Sequence, residues 1–280
     1  MGDSAPGGRN RPQRWNGVGG NQMPRIKIRN AALAESAQQH VELMEEKYAD
    51  KMKFSAENSV IYGGPDRTPV RRSGKKCEQV FRNLDSLSAA ILYEGKGKIA
   101  VLNFADYVRP GGLYLSGGSA QEESLCMESD LFGILQSDEL SGYYGYNKKN
   151  RNRELYTDRG IYTPGVFFAR DGKEYVFDVI TCAAPNKSSA GRYNHVATAE
   201  NHRVMQERIR FLRDVAEDQG VDVLIAGAWG CGAFGQPPTM VAKWMKVSFL
   251  DSGVGKVVYA VPSHGGENAN VRAFRNEFGF

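Results

Sequence analysis

The sequence predicts an α/β fold of three layers, in which a mixed, largely parallel sheet lies between two layers of helices. Short apolar runs rich in β-branched residues alternate along the chain with stretches of helical periodicity. Continuous apolar runs are typical of strands buried on both faces, and their alternation with helices is typical of βαβ units. A length of 280 residues with 41% hydrophobic residues suits one large domain.

The N-terminus is predicted to be a disordered basic tail over residues 1–24, followed by a single domain over 25–280. Residues 1–30 contain six basic residues and one acidic residue, a charge of +5, which leaves −1 for the rest of a chain whose net charge is +4. The tail is also rich in Gly and Asn and poor in apolar residues, a composition typical of disorder. It is either a solvated leader or a segment that contacts an anionic polymer.

The domain is predicted to open with a helical extension, because apolar residues recur there at spacings of three and four. These residues are Leu33, Ala37, Val41, Met44 and Tyr48. The clearest strands further along the chain are Lys98–Phe104, Glu174–Ala183, Val221–Ala226 and Lys256–Val261. The predicted helices between them run from about Gln121 to Gln136, Asn194 to Gln219 and Pro238 to Leu250.

Several classes of protein are disfavoured by what the sequence lacks. No apolar run reaches the roughly 18 residues of a membrane span, and the N-terminus has no hydrophobic stretch of a secretory signal. The four cysteines are separated by dozens of residues, so no pair has the spacing of a zinc site. We therefore expect an intracellular protein with reduced thiols, no metal and no membrane contact, located in the cytoplasm or, in a eukaryote, alternatively in the nucleus. We also expect a monomer, on which the sequence itself is silent.

Two glycine-rich segments follow directly on predicted strands. The first is NFADYVRPGGLYLSGGSAQEE (Asn103–Glu123) and the second is GAWGCGAFGQPP (Gly227–Pro238). Ligands of open α/β sheets bind beyond the carboxyl ends of strands, and N–H groups at helix entrances bind phosphate. Neither segment has the GK[ST] of a P-loop or the GxGxxG of a dinucleotide fold. Two such loops together suggest a diphosphate ligand.

Two carboxylates, Glu122 and Glu123, follow the first glycine-rich segment. Hydrolysis of a glycosidic bond needs a proton for the leaving oxygen and an activated water, and carboxyl groups commonly supply both. However, Ser119-Ala120-Gln121-Glu122 also fits a capping box, in which Glu122 would only tie down the start of the helix. Adjacent helical residues point about 100° apart, so the two glutamates are expected to have different roles.

The stretch VLNFADYVRPGGLYLSGGSAQEESLC resembles the signature of bacterial-type poly(ADP-ribose) glycohydrolases, which are members of the macrodomain superfamily. In that family, three glycines precede a Gln-Glu-Glu triplet. The similarity continues through ELYTDRGIYTPGVFFARD, VITCAAPN and GAWGCGAFGQPPTMVA, and so covers roughly residues 77–280. Several matching blocks in the expected order are more specific than any one of them.

The resemblance implies that Glu123 is the catalytic acid and base, and that Glu122 holds ribose hydroxyls beside the scissile bond. Gln121 would help to shape this pocket. Asn103 takes the position of the family's strand-end asparagine near the ribose, although an asparagine that caps a loop would look the same in sequence. Binding of the diphosphate is implied for two loops, with Phe234 against the distal ribose. These are the first glycine loop (Gly111, Gly112, Gly117 and Gly118) and the second (Gly230, Cys231, Gly232, Ala233, Phe234 and Gly235).

The activity implied by the resemblance is hydrolysis of ribose–ribose bonds in poly(ADP-ribose), which releases ADP-ribose and reverses ADP-ribosylation, as in the DNA damage response. No cofactor is implied. A hydrolase acting on mono-ADP-ribosylated protein or nucleic acid is an alternative. So are a non-catalytic reader of ADP-ribose and a scaffold for protein partners.

The sequence departs from the family pattern at two places in the first segment. Leu113 stands where the third glycine is usual, and Asp106-Tyr107 stand where small or amide side chains are usual. Leu113 is expected to add bulk beside the phosphates, and Asp106 a negative charge near an anionic ligand. Because neither change touches Gln121-Glu122-Glu123, we expect them to affect substrate fit more than reaction type.

Overall fold

The computed structural model describes residues 28–72, 76–263 and 265–279. The predicted disordered tail therefore lies outside the described residues. The strands are β1 (Val60–Tyr62), β2 (Glu78–Arg82), β3 (Ile99–Phe104), β4 (Gly160–Arg170), β5 (Lys173–Cys182), β6 (Val223–Ala226) and β7 (Lys256–Ala260). The α-helices are α1 (Ala31–Glu57), α2 (Ser86–Leu92), α3 (Gln121–Met127), α4 (Leu131–Leu135), α5 (Asp138–Lys149), α6 (Lys187–Asn194), α7 (Thr198–Asp218), α8 (Pro238–Ser248) and α9 (Ala269–Phe278).

The strands form one sheet in the order β1-β4-β5-β3-β6-β7-β2. The five strands from β5 to β2 are parallel, whereas β4 pairs antiparallel with both β5 and β1. The predicted mixed, largely parallel sheet is therefore confirmed. β3 lies between β5 and β6, so the segments that leave the carboxyl ends of β3 and β6 begin side by side.

Helices cover both faces of the sheet, which confirms the three-layer architecture. On one face, α7, α8 and α9 pack against side chains such as Leu102 and Leu224. On the other face, α1 to α5 pack against side chains such as Val101 and Ile225. Consecutive residues of β3 thus enter opposite cores, which explains why Ile99–Leu102 are all apolar.

Four of the seven strands, β3, β5, β6 and β7, were predicted, and each begins and ends within two residues of the prediction. The sequence did not reveal the other three for identifiable reasons. β1 has only three residues, and β2 is an edge strand with polar side chains. β4 contains Pro164-Gly165, where its register with β5 shifts between Thr163 and Val166. Pro and Gly inside a strand mask its pattern.

The predicted helix from about Gln121 to Gln136 is wrong as a single element. The structure has α3 and α4, with a break between Met127 and Leu131. In this break the chain bonds to β4, because Phe167 N–H donates to the Asp130 carboxylate (3.0 Å) and Ala169 N–H donates to Glu128 O (2.9 Å). The long helix predicted from Asn194 begins instead at Thr198, after α6 has ended at the left-handed residue His195.

The predicted N-terminal helix is confirmed as α1, and its start lies against the first glycine loop. Arg29 N–H donates to Ser116 O (2.8 Å), and the Asn30 side chain caps α1 by accepting from Leu33 N–H (3.2 Å). Gly117 has a φ of +76°, and a Cβ there would lie 2.1 Å from Asn30 O. Glycine is needed at residue 117 because the chain before α1 passes over it.

We expect Gly117→Ala to lower the free energy of unfolding by about 2–4 kcal/mol, because it adds both left-handed strain and a collision. Gly172→Ala is the matched control, since Gly172 has a similar φ of +73° but nothing within 4 Å of a Cβ. Urea unfolding of the two variants measures the difference. Equal losses would show that the contact between Asn30 and Gly117 contributes nothing.

None of the helices in the described ranges is long and apolar enough to cross a lipid bilayer.

Candidate active site

Glu123 lies in the first turn of α3, where backbone donors surround its carboxylate. α3 has Ala120 as its N-cap, and Glu123 accepts a hydrogen bond from Ala120 N–H (2.9 Å). Its other oxygen accepts from Leu113 N–H of the first glycine loop (2.8 Å). The suggestion that Glu122 caps this helix is therefore wrong by one residue, because the capping carboxylate belongs to Glu123. Two fixed N–H donors hold this carboxylate in one orientation and stabilise its negative charge.

Glu122 is 3% exposed and points toward the end of β3. It accepts hydrogen bonds from Asp106 N–H (2.7 Å) and Asn103 Nδ2 (3.2 Å). Burial raises its pKa well above the ordinary value, and the Asp106 and Glu123 charges act in the same direction, against the two hydrogen bonds. The two adjacent carboxyl groups therefore have different environments. Glu122 accepts from one backbone N–H and one side-chain amide, whereas Glu123 accepts from two backbone N–H groups.

The two carboxylates converge on Gly112. A Cβ at Gly112 would lie 2.7 Å from Glu123 Oε1 and 2.8 Å from Glu122 Oε2, and the φ of this residue is +60°. Any side chain here would collide with both groups. The close approach of the first glycine loop to both carboxylates therefore requires glycine at residue 112.

Asn103 and Gln121 brace this site from the carboxyl end of β3. Asn103 is completely buried, and its Nδ2 also reaches Thr181 Oγ1 (3.4 Å). Its Oδ1 is buried without a hydrogen-bond partner among the described residues. An unpaired buried acceptor is costly, so a hydroxyl group of a ligand at this place would be stabilising.

The Gln121 amide is fully engaged. It accepts from Phe104 N–H (2.8 Å) and donates to Leu102 O (2.9 Å) and Ser86 Oγ (3.0 Å). Gln121 therefore attaches the start of α3 to the end of β3. It fixes the position of the helix that carries Glu122 and Glu123.

The first glycine loop does not offer the expected row of free N–H groups for phosphate. The N–H groups of Gly112, Gly117 and Gly118 donate to Arg109 O, Tyr114 O and Leu113 O. A Cβ at Gly111 would lie 2.5 Å from the Phe132 ring, so this glycine serves packing. The N–H groups of Gly112, Gly117 and Gly118 thus close the turn that carries Leu113, and binding of the diphosphate by this loop stays a prediction.

The second glycine loop keeps free donors. Within the described residues, no acceptor pairs with the N–H groups of Gly232, Ala233 and Phe234, and the space above Gly232 is open. Gly230 and Gly235 have φ values of +75° and +71°, and a Cβ on either would collide with a neighbouring side chain. Three consecutive free N–H groups form a concave donor surface suited to phosphate.

Cys231 lies in this loop, half-buried against the core. Burial raises the pKa of its thiol to about 12, so the group stays protonated at neutral pH and is not a nucleophile.

Three aromatic side chains, which the sequence did not reveal as a set, connect the two segments. Tyr107 and Tyr156 stack with centroids 4.2 Å apart, and Phe234 meets Tyr156 edge-on at 6.1 Å. Tyr156 adopts a left-handed φ of 61°. Strain of this kind in a non-glycine residue often marks a functional position. The cluster places Phe234 and the free donors beside the segment that follows β3.

The departures from the family pattern have local explanations. Leu113 has a φ of −108°, so its backbone does not require glycine, and its N–H donates to Glu123. The Asp106 charge is compensated, because its carboxylate accepts from Val108 and Arg109 N–H and pairs with the Arg109 guanidinium (2.7 Å). The expected repulsion of an anionic ligand is therefore reduced.

The raised pKa of Glu122 predicts a pH-dependent gain in stability for Glu122→Gln. Below its ordinary pKa of 4.5, the carboxyl is protonated both folded and unfolded. Above that pH the unfolded chain loses this proton first, so wild-type stability falls as pH rises toward the folded pKa. We expect the free energy of unfolding of Glu122→Gln, relative to wild type, to increase from about pH 4 to about pH 8.

Urea unfolding at several pH values measures this trend. Glu139→Gln is the control, because Glu139 also lies in the first turn of a helix but is exposed. A constant difference between Glu122→Gln and wild type over this range would contradict the prediction.

Comparison with known proteins agrees with this arrangement. Residues 27–171 match the family described as "Microbial-type PARG, catalytic domain", where PARG is poly(ADP-ribose) glycohydrolase. A search of curated proteins found no significant match.

Solved structures of bacterial PARGs are similar over most of the chain. The enzyme from Thermomonospora curvata is 26% identical with a TM-score of 0.78, and the alignment covers 89% of this chain and 100% of that one. Its complex with the inhibitor ADP-HPD gives a TM-score of 0.77 over the same shares. The enzyme from Deinococcus radiodurans in complex with ADP-ribose is 28% identical with a TM-score of 0.72, covering 81% and 96%. The resemblance seen in the sequence is confirmed, and the chain belongs to the microbial-type PARG catalytic-domain family.

Proposed function

We propose that this chain hydrolyses the ribose–ribose O-glycosidic bonds of poly(ADP-ribose) and releases ADP-ribose. Family membership supports the reaction class, and bacterial PARG structures that hold ADP-ribose or ADP-HPD support the ligand class. The observation that carries the proposal is that the Glu122 and Glu123 carboxylates lie together against Gly112 of the first glycine loop.

Glu123 is the catalytic acid and base in this proposal. It protonates the departing ribose oxygen as the bond breaks, an oxocarbenium-like centre forms, and the resulting carboxylate takes a proton from the attacking water. Leu113 and Ala120 N–H stabilise the ionised form that appears after the first step.

Glu122 and Asn103 hold the ribose hydroxyls. Burial raises the pKa of Glu122 and so favours its protonated form, which is a hydrogen-bond donor, and the unpartnered Oδ1 of Asn103 is an acceptor. Hydroxyl groups can donate and accept at once, so the pair suits two neighbouring hydroxyls. The diphosphate then lies on the free N–H groups of the second glycine loop, with Phe234 against the distal ribose.

Hydrolysis is favoured over passive reading of ADP-ribose because a reader has no need of two buried carboxyl groups. Burying them is unfavourable, and the negative charge of Glu123 lies near an anionic ligand. The structure offers no comparable argument for a protein scaffold. Mono-ADP-ribosylated protein or nucleic acid is the second candidate substrate, since Asp106, Tyr107 and Leu113 alter the first segment where the family pattern has smaller residues.

Analysis of products after incubation with poly(ADP-ribose), and separately with mono-ADP-ribosylated protein and DNA, tests the proposal. Release of ADP-ribose from the polymer is the expected result. Tight binding of ADP-ribose without turnover of any substrate would identify a reader instead. Turnover of mono-ADP-ribosylated substrates alone would establish the second candidate.

The biological setting follows from the same proposal. The sheet with helices on both faces supports placement in the macrodomain superfamily. The activity would reverse ADP-ribosylation, including that of the DNA damage response. Four free cysteines support an intracellular location. A monomer that needs no partner besides its substrate remains our expectation.

A further inference from the structure

Arg109 and Asp106 form a hydrogen-bonded pair at the start of the segment that links β3 to the first glycine loop. Asp106 Oδ2 accepts from Arg109 Nη2 (2.7 Å) and Nε (3.2 Å), while its Oδ1 accepts from the Val108 and Arg109 N–H groups. One carboxylate thus fixes both the turn and the plane of the guanidinium. This arrangement restricts a long side chain that is otherwise 55% exposed.

The pair lies beside the candidate active site. Asp106 N–H donates to Glu122, so the turn that carries Arg109 is attached to a carboxyl group of the site. Burial lowers the pKa of Arg109, but its hydrogen bond and charge interaction with Asp106, together with the charges of Glu122 and Tyr156, raise it overall. The guanidinium is therefore near both the carboxyl pair and the aromatic cluster that ends in Phe234.

The guanidinium retains donors for a ligand. Nε and one N–H of Nη2 face Asp106, and no residue of the described ranges accepts from Nη1. The Nη1 and Nη2 hydrogens on the outer edge form a second fork, whose geometry fits two oxygens of one phosphate. The first glycine loop lacks free N–H groups at Gly112, Gly117 and Gly118, so this side of the site needs another phosphate donor.

We propose that Arg109, oriented by Asp106, binds a phosphate group of the nucleoside diphosphate substrate at the rim of the carboxyl site. Asp106 is then a positioning residue, which turns the guanidinium so that its outer edge faces the ligand. The negative charge that looked unfavourable in the sequence contributes by holding a cation in place. This inference rests on the proposed function for its substrate class.

Either of two phosphates of the polymer can bind to this fork, and the effect of Arg109→Ala on Kd and KM distinguishes them. One belongs to the ADP-ribose unit held by the second glycine loop, and the other to the adjoining unit of the polymer. If Arg109 binds the first, Arg109→Ala raises the Kd for ADP-ribose. If it binds the second, Arg109→Ala raises KM for the polymer and leaves the Kd for ADP-ribose unchanged. We expect a change of about tenfold in the affected constant, the size typical of a charge-assisted bond at a partly exposed site.

The experiment measures the Kd for ADP-ribose by calorimetry and kcat and KM for poly(ADP-ribose), with Arg275→Ala as the control. Arg275 also forms an exposed ion pair, with Glu267 at 2.7 Å, but on α9, which packs against the edge strand β2. Arg109→Lys keeps the charge without the fork and should recover only part of the loss. Asp106→Asn should lose less than Arg109→Ala.

Salt dependence separates a phosphate contact from a structural role. Removing one contact should reduce the dependence of the affected constant on NaCl between about 50 and about 200 mM, with kcat preserved. If Arg109→Ala behaves like Arg275→Ala in Kd, KM and salt dependence, the inference is overturned. The measurement of Kd for ADP-ribose does not depend on catalysis. If the wild type binds ADP-ribose but releases no product from the polymer, the proposed hydrolase activity fails and the test of Arg109 by Kd still stands.

Discussion

Glu123→Gln is expected to lower kcat with poly(ADP-ribose) by about 10²- to 10⁴-fold, the usual contribution of a general acid and base. The amide occupies nearly the same volume, and its oxygen can still accept from one of the two N–H donors, Leu113 or Ala120. It can neither give a proton to the leaving oxygen nor take one from water. The Kd for ADP-ribose should remain nearly unchanged. Single-turnover product release and calorimetry measure the two quantities.

Two further variants make this test specific. Glu139→Gln changes an exposed glutamate in the first turn of α5 and should leave turnover unaffected. Glu122→Gln should weaken ribose binding and raise KM more than it lowers kcat. If Glu122→Gln abolishes turnover while Glu123→Gln retains it, the catalytic roles are reversed and Glu122 is the acid.

Arg208→Ala is expected to give the largest loss of stability, about 3–5 kcal/mol in the free energy of unfolding, because it removes a large buried side chain together with its hydrogen bonds. Arg208 is completely buried on α7. Its guanidinium donates to Asp158 (2.6 Å), Leu155 O (3.3 Å) and Ala183 O. Without it, two carbonyl groups and one carboxylate lose their donor, and a cavity replaces the side chain.

The loss should reach the active site as well. Leu155 and Asp158 flank Tyr156, whose ring packs on Tyr107 and Phe234. We therefore expect weaker ADP-ribose binding in whatever fraction of Arg208→Ala remains folded. Arg203→Ala on the same helix is the control, because the exposed pair of Arg203 with Glu207 should contribute less than about 1 kcal/mol. Urea unfolding compares the two, and similar losses would refute a structural role of Arg208.

Local patterns along the chain determined most of the central architecture. Strands buried on both faces, such as β3 and β6, are mostly apolar, and α1, α7 and α8 repeat apolar residues at helical spacing. These signals depend on neighbours in sequence, so they can be recognised without a structure. The edge strands β1 and β2 expose part of their surface and carry no such signal.

The candidate site was only partly predictable. Sequence placed Glu122 and Glu123 at a helix start and found both glycine loops. It misassigned the cap by one residue, because capping depends on which side chain reaches Ala120 N–H. It also gave both loops the same phosphate-binding role, although the first uses three of its N–H groups within its own turn.

By itself, then, the sequence determined four of the strands in the described residues, the glycine loops and the family resemblance, since all of these are carried by residues close together in the chain. Tertiary structure decided which N–H donors remain free, that burial raises the pKa of Glu122, and how Tyr107, Tyr156 and Phe234 meet. It also decided that Asp106 pairs with Arg109 rather than facing a ligand alone. These properties depend on hydrogen-bond partners and burial, which exist only after segments distant in sequence have packed together.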